Sequence, residues 1–181
     1  MPRVAFFGGS FNPPHVAHQM VCLWVLETQP VDEIVVVPTF KHPFDKVLAP
    51  YADRVAMCRL MTRPFGPRAR VSTIEEELGD ASLTLRTLQA LASREPGNSW
   101  RLVVGADILA DRDKWHRWPD VQALAPPIVV GRPGYAAPED APPLAEVSST
   151  DVRRRLAAGE SVAALVPREV VAYVLEKGLY R

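Results

Sequence analysis

Cysteine is scarce in this sequence: Cys22 and Cys58 are the only two in 181 residues. Both fall in apolar, helical-looking stretches. They have neither the paired spacing of a zinc site nor the density of a disulfide scaffold, so they read as core thiols. Net charge is missing as well. With 21 Lys+Arg against 21 Asp+Glu, the chain has no overall field to draw in a nucleic acid or an anionic membrane. Neither is expected as a partner, and any anionic ligand must be small and locally held. No stretch approaches the roughly 18 uncharged apolar residues of a membrane span, and the opening MPRVAFFGGSF is too short an apolar run for a signal peptide. A cytoplasmic enzyme or binding protein is the expectation. The G-x-G-x-x-G fingerprint and the Walker P-loop are both absent, which argues against a dehydrogenase or a P-loop kinase.

What is present suits one domain over residues 1–181, because 48% hydrophobic and 23% charged residues leave ample material for a core. Short β-rich runs at 3–7, 33–37, 70–72, 101–104 and 128–130 alternate with helical patterns at 15–27, 51–62, 83–93 and 118–124, and two more helices, 150–158 and 168–177, close the chain. Pro167 suits the start of the last helix and Gly178 its end. Six of the 18 prolines fall between Pro126 and Pro143, which predicts a loop beyond the last strand. Strands separated by helices imply an α/β fold, a Rossmann-like doubly wound parallel sheet of about five strands flanked by helices. The unbroken apolar runs 34–37 and 102–104 fit strands covered on both faces. Ligands of such sheets bind beyond the carboxyl ends of the strands, so chemistry is expected just after Phe7, Val37, Val104 and Val130.

After the first run comes Gly8-Gly9-Ser10-Phe11-Asn12-Pro13-Pro14-His15-Val16-Ala17-His18. Two glycines allow close backbone approach, and two prolines lead into a helix whose first turn holds both histidines. A helix N-terminus at a strand end is a phosphate site by its N–H groups and dipole, and two imidazoles add donors. A purely structural cap competes with that reading. A zinc pair fits less well, since no third ligand lies nearby and helical pairs usually stand four apart.

Other segments are equally two-sided. Lys46, in a Pro-flanked loop, can reach anionic oxygens or be a plain surface lysine. Gly105-Ala106-Asp107 permits close approach with a carboxylate for ribose hydroxyls, or is a turn with a helix cap. Trp115 and Trp118 have the spacing of one helical face and could be core, yet their charged surroundings favour an exposed ring at Trp115 with Trp118 left for packing. Ser148 to Asp151 fits a helix start. The same start presents N–H groups and the Ser149 and Thr150 hydroxyls to an anion, while Arg153 is either a multi-donor anion ligand or a solvated charge.

The run GGSFNPPHVAH resembles the G-G-[ST]-F-[DN]-P-x-H-x-G-H signature of the nucleotidyltransferase superfamily, with Ala17 in place of the usual Gly. Three further segments narrow the resemblance to bacterial nicotinate/nicotinamide mononucleotide adenylyltransferases. Residues 38–46 with Arg54-Val55-Ala56-Met57 are similar to a P-x-x-x-x-P-x-x-K loop and an R-x-x-M helix. Gly105-Ala106-Asp107 with Trp115 and Trp118 is similar to G-A-D…W-x-x-W, and residues 147–153 are similar to I-S-S-T-x-I-R. Residues 82–88 resemble S-Y-T-x-D-T-L more loosely, with Leu83 for Tyr and Arg86 for Asp.

This resemblance implies adenylyl transfer from ATP to a pyridine mononucleotide in NAD biosynthesis, with the nicotinate form first and the amide form as a second candidate. It implies His15, His18, Lys46 and Arg153 as catalytic residues. Gly8, Gly9, Ser10, Phe11, Gly105, Asp107, Ser149 and Thr150 would bind ATP. Asn12, Thr84, Trp115 and Arg132 would meet the mononucleotide, with Trp115 stacking on its ring. Mg²⁺ is implied as a cofactor carried mainly by the phosphates, with no protein-made metal site, and a homo-oligomer is allowed. The rivals are another adenylyltransferase of the superfamily, such as one acting on phosphopantetheine, and a catalytically silent nucleotide-binding module.

Overall fold

Residues 1–41, 47–79, 83–110, 112–131, 134–136, 141 and 145–181 are described in a computed structural model of the chain. Five strands form one sheet: β1 (Arg3–Gly9), β2 (Glu33–Pro38), β3 (Ala69–Val71), β4 (Ser99–Gly105) and β5 (Pro127–Val130). Their order is β3-β2-β1-β4-β5 and every pairing is parallel. Eight α-helices are found among the described residues: α1 (Val16–Thr28), α2 (Tyr51–Thr62), α3 (Ile74–Leu78), α4 (Thr84–Arg94), α5 (Ala106–Ala110), α6 (Trp118–Leu124), α7 (Ser149–Ala157) and α8 (Arg168–Lys177). The Rossmann-like architecture expected from the alternation is therefore what forms.

Two apolar clusters explain why the strand sequences are apolar without a break. Ala5, Ile34, Val36 and Val103 point into a cluster that takes in Val21 and Val25 of α1, Met57 and Met61 of α2, Val152 of α7 and Val170 and Val174 of α8. The alternate residues Val4, Phe6, Val35, Val37, Leu102 and Val104 enter a second cluster with Leu85, Leu88 and Leu91 of α4 and Trp118 and Val121 of α6. Successive strand side chains alternate between faces, so a strand buried on both can carry no polar position.

The additional elements are short. Ile74–Leu78 and Ala106–Ala110 hold five residues each, too few for a helical period to show. A 3-10 turn at Arg63–Arg68 contains Pro64, Gly66 and Pro67, which read as punctuation in the sequence. The Pro-rich stretch overlaps β5, because Pro126 precedes the strand and Pro127 is its first residue, where a missing N–H is tolerated. No helix among the described residues is long and apolar enough to cross a membrane.

The chain leaves β1 toward β2 on one side and returns to β4 on the other. The carboxyl ends of β1 and β4 therefore diverge at the point where the strand order reverses, and the loops after Gly9 and Gly105 face one crevice.

Candidate active site

At the end of β1, Gly8 lies opposite Val37 and Gly9 opposite Pro38. A Cβ on Gly8 would sit 2.8 Å from the buried Phe6 ring, and one on Gly9 would be 3.3 Å from Phe11. The chain then turns at Phe11, whose φ of 44° is in the left-handed region that bulky side chains seldom occupy. The Phe11 ring, expected at the nucleotide, is buried in the first cluster instead, edge-on to Phe7 at 5.4 Å and to His18 at 5.0 Å. Its side chain supports the histidine.

His15 stands one position earlier than expected, as the N-cap of α1 and not inside its first turn. The two imidazoles stack with centroids 3.7 Å apart and planes 26° from parallel. The His15 backbone N–H donates to Nδ1 of His18 at 3.2 Å. An accepting Nδ1 places the neutral ring's proton on Nε2, so His18 is set as an Nε2–H donor.

Most of the backbone N–H groups at the start of α1, expected to face an anion, have partners within the protein. Besides the His15 N–H, that of Val16 donates to Leu165 O at 2.9 Å and that of His18 to His15 O at 3.0 Å. The Ala17 N–H is engaged by no described residue.

The start of α7 differs. Ser148 caps it by accepting the Asp151 N–H at 3.1 Å, as the S-x-x-D spacing predicts. The N–H groups of Ser149 and Thr150 are engaged by no described residue, and they lie at the positive end of the helix dipole. The Ser149 hydroxyl does not add to them, because it donates to Pro13 O at 2.9 Å.

Arg153 donates to the Asn12 carbonyl at 2.8 Å and to Thr150 Oγ1 at 3.2 Å. Its neighbours Arg154 and Arg155 are bound to Asp151, whose carboxyl is held below its ordinary range by hydrogen bonds from Arg155 and Arg154. Arg153 has no carboxylate partner among the described residues, which is the physical distinction between the three arginines.

These groups line a cavity of about 440 Å³ formed by Ser10, Asn12, Val47, Leu48, Ser149, Thr150 and Arg153. His15 and His18 stand outside its lining, at the start of α1 just beyond Asn12. Ala17 is buried, its methyl packed in the first cluster.

On the β4 side, Gly105 ends the strand opposite Val130, and Asp107 lies in the first turn of α5. Thr84 is the first residue of α4, which packs against α6. Trp115 and Trp118 do not share a helix. Trp115 follows a 3-10 turn at Arg112–Lys114, Trp118 opens α6, and Arg117 between them is left-handed at φ 55°. They nevertheless pack edge-to-face at 5.5 Å, with Trp118 buried and Trp115 half-buried. Lys46 and Arg132 lie outside the described residues.

Sequence reasoning missed several residues that shape this site. Arg54, visible only as the first letter of R-x-x-M, is 1% exposed and donates to Ala49 O, Ser10 O and Thr39 O at 3.0, 2.9 and 2.7 Å. It joins the loops after β1 and β2, and burial pulls its guanidinium below the ordinary value. The buried Glu75 carboxylate accepts the Phe40 N–H at 2.9 Å and the Thr87 hydroxyl at 3.1 Å. Asn12, expected against substrate, is 3% exposed, and its Oδ1 accepts from the Ala49 N–H at 3.0 Å and the Tyr180 hydroxyl at 2.8 Å. No local pattern announces Val47, Leu48 or Tyr180.

Among the described residues, no group of three or more His, Cys, Asp and Glu side chains is placed to hold a metal ion. The polar lining of the cavity is hydroxyl, amide and guanidinium, a donor set suited to phosphate oxygens.

A family model described as cytidylyltransferase-like matches residues 6–155. An Anaeromyxobacter sp. (strain K) protein named "Probable nicotinate-nucleotide adenylyltransferase" is 53% identical over 182 residues, covering 99% of this chain and 97% of its own. A Myxococcus xanthus protein of the same name is 44% identical, with 98% and 94% covered. In three dimensions the chain is similar to Plasmodium falciparum nicotinic acid mononucleotide adenylyltransferase complexed with NaAD, at a TM-score of 0.86 and 18% identity, covering 99% of this chain and 98% of that one.

Proposed function

The chain belongs to the cytidylyltransferase-like family, among the nicotinate-nucleotide adenylyltransferases, and from that premise we propose that it transfers the adenylyl group of ATP to nicotinate mononucleotide. The reaction yields the dinucleotide and pyrophosphate in NAD biosynthesis. The observation that carries this reading is the start of α7, where Ser149 and Thr150, with unengaged N–H groups, line one cavity with Arg153 and with Ser10 and Asn12 of the loop after β1. All of residues 1–181 act as one nucleotidyltransferase domain, with the cytoplasm as its compartment.

A phosphate oxygen of the mononucleotide attacks the α-phosphorus of ATP, and the bond from that phosphorus to the β-phosphate bridging oxygen breaks, its electron pair leaving with pyrophosphate. The attacking oxygen is already anionic, so no protein nucleophile is required. The protein's task is alignment and stabilisation of charge on the nonbridging and leaving oxygens. His18 serves through Nε2–H, and His15 caps α1 and stacks against that ring. Arg153 and the Ser149 and Thr150 N–H groups hold the phosphate chain, with Thr150 Oγ1 also accepting from Arg153. Lys46 would add a second cation. Trp115 provides a half-exposed indole for the pyridine ring, Thr84 a hydroxyl at the start of α4, and Gly105 and Asp107 serve the adenosine ribose. Mg²⁺ carried in with the ATP phosphates would supply further charge neutralisation.

The test is incubation of the purified protein with ATP, Mg²⁺ and, separately, nicotinate mononucleotide, nicotinamide mononucleotide and phosphopantetheine, with products resolved by chromatography. A dinucleotide with stoichiometric pyrophosphate from a pyridine mononucleotide is expected, and the ratio of the two pyridine rates measures acid against amide preference. ATP binding without any product would mark a silent module.

A further inference from the structure

Three remote parts of the chain converge on Asn12. Arg153 of α7 donates to its carbonyl oxygen, the Ala49 N–H donates to Oδ1, and so does the hydroxyl of Tyr180, next to last in the chain. Tyr180 reaches Asn12 through an unusual path. α8 ends at the left-handed Gly178 (φ 62°), and Tyr180 is itself left-handed at φ 64°, a conformation an aromatic residue keeps only when its surroundings impose it. Its ring packs against the first apolar cluster. Burial pushes the phenol above its ordinary value, so it remains a donor.

A carboxamide oxygen has two lone pairs, and both are occupied in Asn12. The amide cannot rotate by half a turn without facing two donors with its own NH₂. Among the described residues that NH₂ group makes no hydrogen bond, and Asn12 lines the cavity. From this convergence we infer that Tyr180 is a positioning residue: its hydroxyl locks the Asn12 carboxamide with the NH₂ end available to a phosphate oxygen in the cavity beside Arg153. The identity of the ligand rests on the adenylyl-transfer reading. The locking geometry does not.

Tyr180→Phe retains the ring and removes only the hydroxyl. Dissociation constants for ATP, from titration calorimetry, and kcat/KM, from pyrophosphate release, are to be measured for the wild type, Tyr180→Phe, Asn12→Ala and the double variant, with thermal unfolding as the check on folding. Losing the lock is expected to weaken ATP binding and lower kcat/KM by about tenfold, the scale of one hydrogen bond. The same substitution in the Asn12→Ala background is expected to change neither by more than about twofold, because the group it orients is gone. An equal loss in both backgrounds, or none in Tyr180→Phe alone, overturns the inference. Should Asn12→Ala fail to fold, Asn12→Asp is the background: it keeps an acceptor for Tyr180 and Ala49 and removes the NH₂ donor. A wild type that binds ATP and releases no pyrophosphate overturns the adenylyl-transfer reading alone, since the binding cycle still judges Tyr180.

Discussion

Ser149 hangs α7 from the loop after β1: its hydroxyl donates to the carbonyl oxygen of Pro13 at 2.9 Å, across 136 positions of sequence. One bond thereby sets the distance between the helix start that carries Arg153 and the segment that carries Asn12, His15 and His18. Arg153 repeats the tie through the Asn12 carbonyl. Two sides of the cavity, the start of α7 and the loop after β1, are thereby tied to each other within the protein itself.

His18→Ala removes the Nε2–H donor, and a preorganised donor to developing charge is worth about 10² to 10³ in kcat. The loss is expected in pyrophosphate release at saturating substrates. It should come with a modest stability decrease of about 1 kcal/mol, since the His15 N–H loses the acceptor that closes the helix start. Near-normal turnover in a folded variant would remove His18 from the chemistry.

Arg54→Met leaves the carbonyls of Ser10, Thr39 and Ala49 without their donor in a buried place. The expected destabilisation is about 3 kcal/mol or more in urea unfolding. Arg54→Lys should recover only part of it, because a single ammonium lacks the planar fork that spans three acceptors. Full stability in Arg54→Met would show that the loops hold each other without this clamp.

Trp115→Ala is expected to raise KM for the mononucleotide well above any change in KM for ATP, with little effect on the fold because Trp118 holds the buried position. Loss of one stacking face corresponds to about 1 kcal/mol, or roughly fivefold. Equal changes for both substrates would count against the stack.

Burial pushes the Cys22 thiol from 9.0 up to about 12, and Cys58 moves in the same direction. In the unfolded chain these thiols ionise near 9.0, so above that pH the unfolded state holds fewer protons than the folded one. Their contribution to stability is complete below pH 9.0 and is lost as pH rises toward about 12. The slope for one thiol is at most about 1.4 kcal/mol per pH unit. Urea midpoints should fall with rising pH in that window, and fall less steeply in Cys22→Ala. An identical slope in that variant would exclude Cys22 as a contributor.

The sheet was legible because its determinants are local. Residues 34–37 are apolar at every position, which only a strand covered on both faces requires, and the boundaries of α2, α6 and α8 coincide with those read from periodicity, proline and glycine. The glycine, histidine and serine segments at the strand ends were legible for the same reason, since their spacing along the chain is the signal. What those groups do was decided by neighbours distant in sequence. Leu165 takes the Val16 N–H and Pro13 takes the Ser149 hydroxyl, so which groups at the two helix starts stay open to a ligand is set by remote partners. Arg54 reaches Ser10 across 44 positions and Tyr180 reaches Asn12 across 168. A hydrogen bond satisfies a group wherever its partner arrives in space, and no period or motif in a linear sequence records that arrival.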